Sequence, residues 1–343
     1  VSFCALQHML RYKADILSVF YMIITTALLI VNWNLPQFNV WLFLGSILMA
    51  TSCFAMAHNH NHIPMWRVDF LNKLTDYWLT LFYGFPVYAW IPTHNMNHHQ
   101  LNNREGDYTI TWRLSEKNNF LTMITFPIIS AIYQQQPTSN FLRHYWNTNK
   151  PKFFYYISQY VVWGLWIGGA FYLNPRKALL YVAIPMIVAT QFVLIINYIQ
   201  HVHTDEESQY NHSRNFTGIY NKFLLNNGLH TAHHEQMGLH WSQLPEAHAK
   251  IAHRVDPSLN LRSLGWYVVK TYLLAPFIPQ FRSKSMRLER MAMAGGGSDE
   301  QTTVEDYRPH AVSVARVQRK APKAKARSNA KKATGAKAKK RRA

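Results

Sequence analysis

The chain has 343 residues, of which 48% are hydrophobic, 14% aromatic and only 15% charged, against about a quarter charged in soluble domains. That balance argues against an ordinary water-soluble domain, and two widely separated cysteines, Cys4 and Cys53, exclude a disulfide framework or a zinc ribbon. The formal net charge of +19 is uneven, because fourteen Lys/Arg and no acid lie between Arg308 and Ala343.

In chain order, four runs are long enough to cross a bilayer, which takes about 20 apolar residues. They cover residues 14–31, 38–57, 153–173 and 178–199. The first is long for a signal-peptide core and has no small-residue cleavage site after it, so it is expected to remain as a span. Cys53 falls inside the second run and reads as a small buried hydrophobe. NWNLPQ joins the first pair of runs and NPRK the second, so each pair reads as a hairpin. Two further stretches, 79–91 (broken by Gly84 and Pro86) and 120–133 (broken by Pro127), read as interfacial or re-entrant segments. The expected fold is an all-α integral membrane protein: four transmembrane helices in two hairpins, interfacial helices and a cytosolic histidine-rich cap. Residues 1–290 form this membrane domain. Residues 291–343 are a flexible GGGSDEQTTVED linker and a disordered Lys/Arg/Ala-rich tail. With two hairpins, every histidine cluster falls on one face together with the basic terminus. Positive-inside bias makes that face, and both termini, cytoplasmic.

The histidines carry the chemistry. AHNHNH places His58 and His62 four apart on one helix face, with His60 pointing elsewhere. HNMNHH supplies His94, His98 and His99. NYIQH supplies Asn197 and His201. HTAHH supplies His230, His233 and His234, whose spacing suggests convergence on one face. Nine imidazoles are too many for one zinc but suit two metals with four or five each. Imidazole suits Fe, Zn, Cu and Ni, so spacing alone does not choose among them. Ionisable groups at the ends of apolar spans are costly and usually functional. His60, His203 and His240 read as non-ligands. His8, His144, His212, His248, His253 and His310 read as interfacial or hydrogen-bonded residues. Among the acids, Glu105, Asp107, Asp205, Glu206 and Glu207 are placed to orient imidazoles or to lie in solvated loops.

In their order, HNHNH, HNMNHH and HTAHH resemble the membrane fatty acid desaturase/hydroxylase superfamily, over roughly residues 10–285. The resemblance implies a non-haem di-iron centre on the cytosolic face, with O2 as co-substrate. It assigns His58 and His62 to the first box, His94, His98 and His99 to the second, and His230, His233 and His234 to the third. His201 matches the additional histidine before the third box. Asn197 resembles the asparagine that holds an iron-linked water in acyl-CoA desaturases. Three residues separate His58 and His62, and the second box is HxxxHH; acyl-CoA Δ9 enzymes typically have four and HxxHH. The chain therefore looks closer to a bacterial-type, lipid-acting fatty acid desaturase.

The resemblance implies an oxygen-dependent oxidase of fatty acyl chains that introduces a double bond. Hydroxylation of a fatty acid or alkane, carotenoid-type oxygenation and alkene-forming decarboxylation are alternatives within the superfamily. A zinc hydrolase, or a non-catalytic membrane anchor with a recruiting tail, are alternatives outside it. No HPGG haem signature and too few cysteines for an iron–sulfur cluster imply a separate electron donor of ferredoxin, rubredoxin or cytochrome type, with its reductase. The tail suits an anionic membrane surface, or a solvated extension with no specific role, better than nucleic acid. Its Ala/Lys character points to a bacterial inner membrane.

Overall fold

The computed structural model describes residues 3–294. Three of the described helices are long and apolar enough to cross a membrane: Lys13–Asn34, Val40–His62 and Pro175–His201. They contain three of the four expected runs. The fourth run lies in the 24-residue helix Lys150–Leu173. That helix is long enough to span, but its tyrosines, tryptophans and Gln159 carry polar groups that lower its hydropathy. By length and composition, then, three helices qualify where four were expected.

Local chemistry sets the helix ends. Asn39 accepts hydrogen bonds from the Trp41 and Leu42 amides and starts Val40–His62. Asn174 does the same for the Lys177 amide. Lys177 then donates to the carbonyls of Trp33 and Leu35, tying this turn to the end of the first span. Asn32 bridges the first two spans, donating to the Leu42 carbonyl and the Ser46 hydroxyl. The second span packs small residues (Ala50, Cys53 and Ala57) into a cluster with Ala189 and Val193 of the last span. Small side chains let helices approach closely where lipid offers no hydrophobic drive between them. Cys53 is fully buried there, as the sequence suggested.

The interrupted stretches behave differently from expectation. Residues 79–91 are not one segment. The helix Asp69–Tyr83 stops at Gly84, whose φ of 92° is left-handed. A single turn, Val87–Ala89, leads into a π-helix, Ile91–His98. At the other stretch the break expected at Pro127 does not occur. A helix runs from Phe120 to Thr148 through both Pro127 and Pro137. Each proline removes one backbone donor, a loss this long helix tolerates because its start is fixed twice. Asn119 and Thr122 cap each other, and Tyr198 donates to the Thr122 hydroxyl. Leu121, Ile124, Ile128 and Ile132 leave an exposed apolar stripe along its first half.

The cap over the histidines is built from short helices. It also contains a departure from an all-α fold, a parallel pair of two-residue strands, Asn215–Phe216 beside Asn260–Leu261. These strands are too short to show as periodicity in the sequence. The described chain ends just after the helix Met286–Met293, so most of the linker and all of the basic tail, with His310, lie outside the described residues.

Candidate metal centre

Four helix segments deliver imidazoles to one place. Val40–His62 carries its apolar run directly into His58 and His62. Pro175–His201 ends on His201. The π-helix brings His94 and His98, with His99 just beyond it. The short helix His230–Glu235 brings the last three.

The nine rings sort into two groups. His58, His62, His94, His99 and His233 form one; His98, His201, His230 and His234 form the other. In the first group Nε2 atoms approach each other at 2.9 Å (His58–His94), 3.2 Å (His58–His62), 3.1 Å (His94–His99) and 3.0 Å (His99–His233). In the second the spacings are 3.1 Å (His98–His201), 2.9 Å (His201–His230) and 3.1 Å (His230–His234). Metal–imidazole bonds of about 2.1 Å put ligand atoms at right angles about 3.0 Å apart. The observed spacings fit that geometry.

Protonation supports the same fit. The His98 Nδ1–H donates to Asp107 Oδ2 at 2.7 Å, and the His201 Nδ1–H donates to the His212 carbonyl at 3.1 Å. Their Nε2 atoms then carry lone pairs that face each other, an arrangement a bound cation would relieve. Burial and the neighbouring imidazoles hold His94, His99, His230, His233 and His234 well below the ordinary histidine range. At neutral pH these rings are uncharged, as metal ligation requires.

Asp107 is fully buried, and each of its oxygens is satisfied. Oδ2 also accepts from the Asn103 amide at 2.8 Å; Oδ1 accepts from the Thr109 amide and hydroxyl, each at 2.7 Å. Burial alone would raise its pKa. The adjacent His98 and these donors outweigh burial and hold the carboxylate below its usual range. Of the acids considered from sequence, Asp107 is the one that holds a clustered imidazole. Asp205 and Glu206 pair with Arg290, Glu207 pairs with Arg104, and Glu105 is exposed.

The remaining histidines stand apart from both groups. His60 Nδ1 accepts from the Met65 amide and its Nε2 lies 3.4 Å from Asp76. His203 bridges the Glu116 carbonyl and Ser283. His240 pairs with Asp15 and stacks on Tyr12. His212 presents its carbonyl to His201 and its ring edge to His234; burial pushes its pKa down to about 4. His8, His144, His248 and His253 join neither group.

A cavity of about 550 Å³ reaches both groups, touching His58, His94 and His230. Asn197 lines it, with its amide nitrogen 3.3 Å from His98 Nε2 and its buried carbonyl unpartnered. The aromatic run before the second box divides its work. Tyr83, Phe85 and Trp90 line the cavity, while Trp78, Leu79 and Val87 pack in the core. Thr93 and Thr109 also line it and were not singled out from sequence. Thr109, two residues after Asp107 in an otherwise polar loop, was the available signal.

The fold and the paired imidazole groups define a helical protein with membrane-length apolar helices and two histidine groups that could each hold a metal ion. The fatty acid desaturase family model matches residues 33–265, more than half of the chain and all nine clustered histidines, and the chain belongs to that family. No curated protein and no solved structure matches it.

Proposed function

We propose that the chain is a membrane di-iron oxidase that uses O2 to introduce a double bond into a fatty acyl chain. The observation that carries this is the cavity: one space with apolar walls (Phe54, Val193, Leu194, Ile196) that reaches both imidazole groups. One iron would be held by His58, His62, His94, His99 and His233, the second by His98, His201, His230 and His234. Asn197 stands where it would hold a water beside the second. Two irons with O2 supply the oxidising power for an unactivated C–H bond, which no side-chain base can deprotonate.

The remaining work falls to the protein. The cavity walls exclude water and fix which carbons face the imidazoles. Asp107 keeps the proton on His98 Nδ1, so Nε2 offers its lone pair. The reaction balances as a CH2–CH2 unit plus O2, two electrons and two protons giving an alkene and two waters. The electrons come from a separate ferredoxin, rubredoxin or cytochrome-type donor with its reductase. In this reading Lys150–Leu173 completes a four-span, two-hairpin domain over residues 1–290, set in a bacterial inner membrane with the metal centre and both termini cytosolic. The tail over 291–343 lies at the anionic membrane surface and not on nucleic acid.

The test feeds a perdeuterated fatty acid to a host expressing the chain, with His234→Ala as control, and reads lipids and volatiles by mass spectrometry. A labelled product with an internal double bond, seen only with the intact chain, supports a desaturase. A labelled hydroxylated or carboxyl-less product moves the chemistry to hydroxylation or decarboxylation. No labelled product from either strain refutes the proposal.

A further inference from the structure

We infer that the substrate is an acyl chain whose polar end is uncharged, such as an ester or an alcohol, and that this end is held by side-chain amides at the edge of the cavity. The inference rests on the function proposed above and narrows its substrate class.

The cavity wall contains no Lys, Arg, Asp or Glu among the described residues. Its polar character comes from neutral groups on two helices that pack together. Gln134, Gln135, Thr138 and Ser139 come from Phe120–Thr148, and Thr190 and Gln191 from Ile184–His201. Three of these are already committed as donors: Gln134 to Ser130, Thr138 to the Gln134 carbonyl and Thr190 to the Met186 carbonyl. Gln135, Ser139 and Gln191 make no hydrogen bond among the described residues and are exposed at the cavity's edge. Unpartnered amides beside an apolar phase are costly, so a ligand that satisfies them gains affinity.

The uncharged wall decides which polar end fits. Gln191 lies ten residues before His201 (201 − 191) on one continuous helix. At 1.5 Å per residue that places Gln191 about 15 Å along the helix from His201, while Gln135 and Ser139 sit on a helix that packs against the histidine-bearing π-helix Ile91–His98. An ionised carboxylate or a phosphorylated carrier would be unpaired there. An ester carbonyl or a hydroxyl would meet amide donors and acceptors. The nearest cation on the same helix face is Arg143, one turn beyond Ser139, which is exposed and outside the cavity wall. A charged end would have to bind there instead.

The experiment measures equilibrium binding of tritiated hexadecanoic acid, methyl hexadecanoate, hexadecanol and hexadecane to the full chain in nanodiscs. Empty discs are subtracted, and the pH is one at which the acid is ionised. We expect the ester and the alcohol to bind about tenfold or more tighter than the acid. A Gln135→Leu, Gln191→Leu double variant should lose that preference while binding hexadecane as the parent does, which shows that the cavity is intact. The inference is overturned if the acid binds as tightly as the ester, and more so if Arg143→Gln then weakens the acid. It is also overturned if the double variant keeps the preference. Binding is read without turnover, so its outcome and that of the feeding test can differ: a preference for neutral ends with no labelled product would sink the function and leave the binding class standing.

Discussion

Asp107→Asn probes the metal centre with the smallest change of shape. The carboxylate accepts four hydrogen bonds in a fully buried site, two at each oxygen. An amide of the same outline keeps one acceptor oxygen and replaces the other with a donor. Whichever way it turns, an NH2 group faces either the His98 Nδ1–H and Asn103 amide or the two Thr109 donors. The negative charge beside His98 is also lost. Removing such a partner from a ligating histidine typically weakens metal binding 10- to 100-fold, which is about 1.4 to 2.7 kcal/mol. His98 belongs to the group of four, and no ring of the group of five touches Asp107. The variant should therefore lose iron from one site first. Iron per chain, read by elemental analysis after dialysis against graded chelator, should fall in two well-separated steps, with the first shifted to lower chelator than in the parent. A variant that keeps both irons with parental affinity would refute the role given to Asp107.

Three further outcomes are expected. His233→Ala should lower bound iron, whereas His203→Ala, outside both groups, should leave iron per chain unchanged; equal iron loss in both would refute the grouping. Burial, helped by Asp69, raises the Asp76 carboxyl from 3.8 to about 6 despite a hydrogen bond from Tyr155. The folded form thus keeps this proton to higher pH than the unfolded form, and the contribution to stability present below about pH 4 is lost as pH rises through 6. The difference in thermal midpoint between the parent and Asp76→Asn should change across that window; parallel curves would refute it. Gly84→Ala forces a side chain into a left-handed residue and places Cβ 2.5 Å from Met186 Cβ on the last span. A loss of at least about 1–2 kcal/mol is expected from the backbone alone, read as a lower thermal midpoint; an unchanged midpoint would contradict the packing.

Much of the centre was legible because it depends on composition and local spacing. Long apolar runs ending in histidine need only be counted, and nine imidazoles already implied two sets of four or five. Which ring joins which set was not legible. His230, His233 and His234 were expected to converge on one face, but His233 joins the group of five and the other two the group of four. The helix His230–Glu235 lies between the two groups, and only tertiary placement decides that. Asp107 could be named as a candidate, but its partner is set by a tight turn in which Asn102, Asn103 and Gly106 all have positive φ and fold residue 107 back onto His98. The run over 153–173 was read as an apolar span, but its helix falls short in hydropathy because its aromatic residues are half polar. Pro127 misled because one missing donor weighs little in a helix capped and packed elsewhere.

The π-helix over residues 91–98 acts as a phase shifter. His94 and His99 are five residues apart, and in an α-helix they would point about 140° away from each other, given 3.6 residues per turn. The wider pitch brings their Nε2 atoms to 3.1 Å and turns the intervening His98 toward the other group. The division of the histidines is therefore encoded in helical pitch as much as in residue identity. Deleting one residue before His94 would leave every histidine in the chain, yet a return to α pitch would swing His99 away from His94 and bring His98 into its place. The centre would keep its full complement of imidazoles and lose its partition into two.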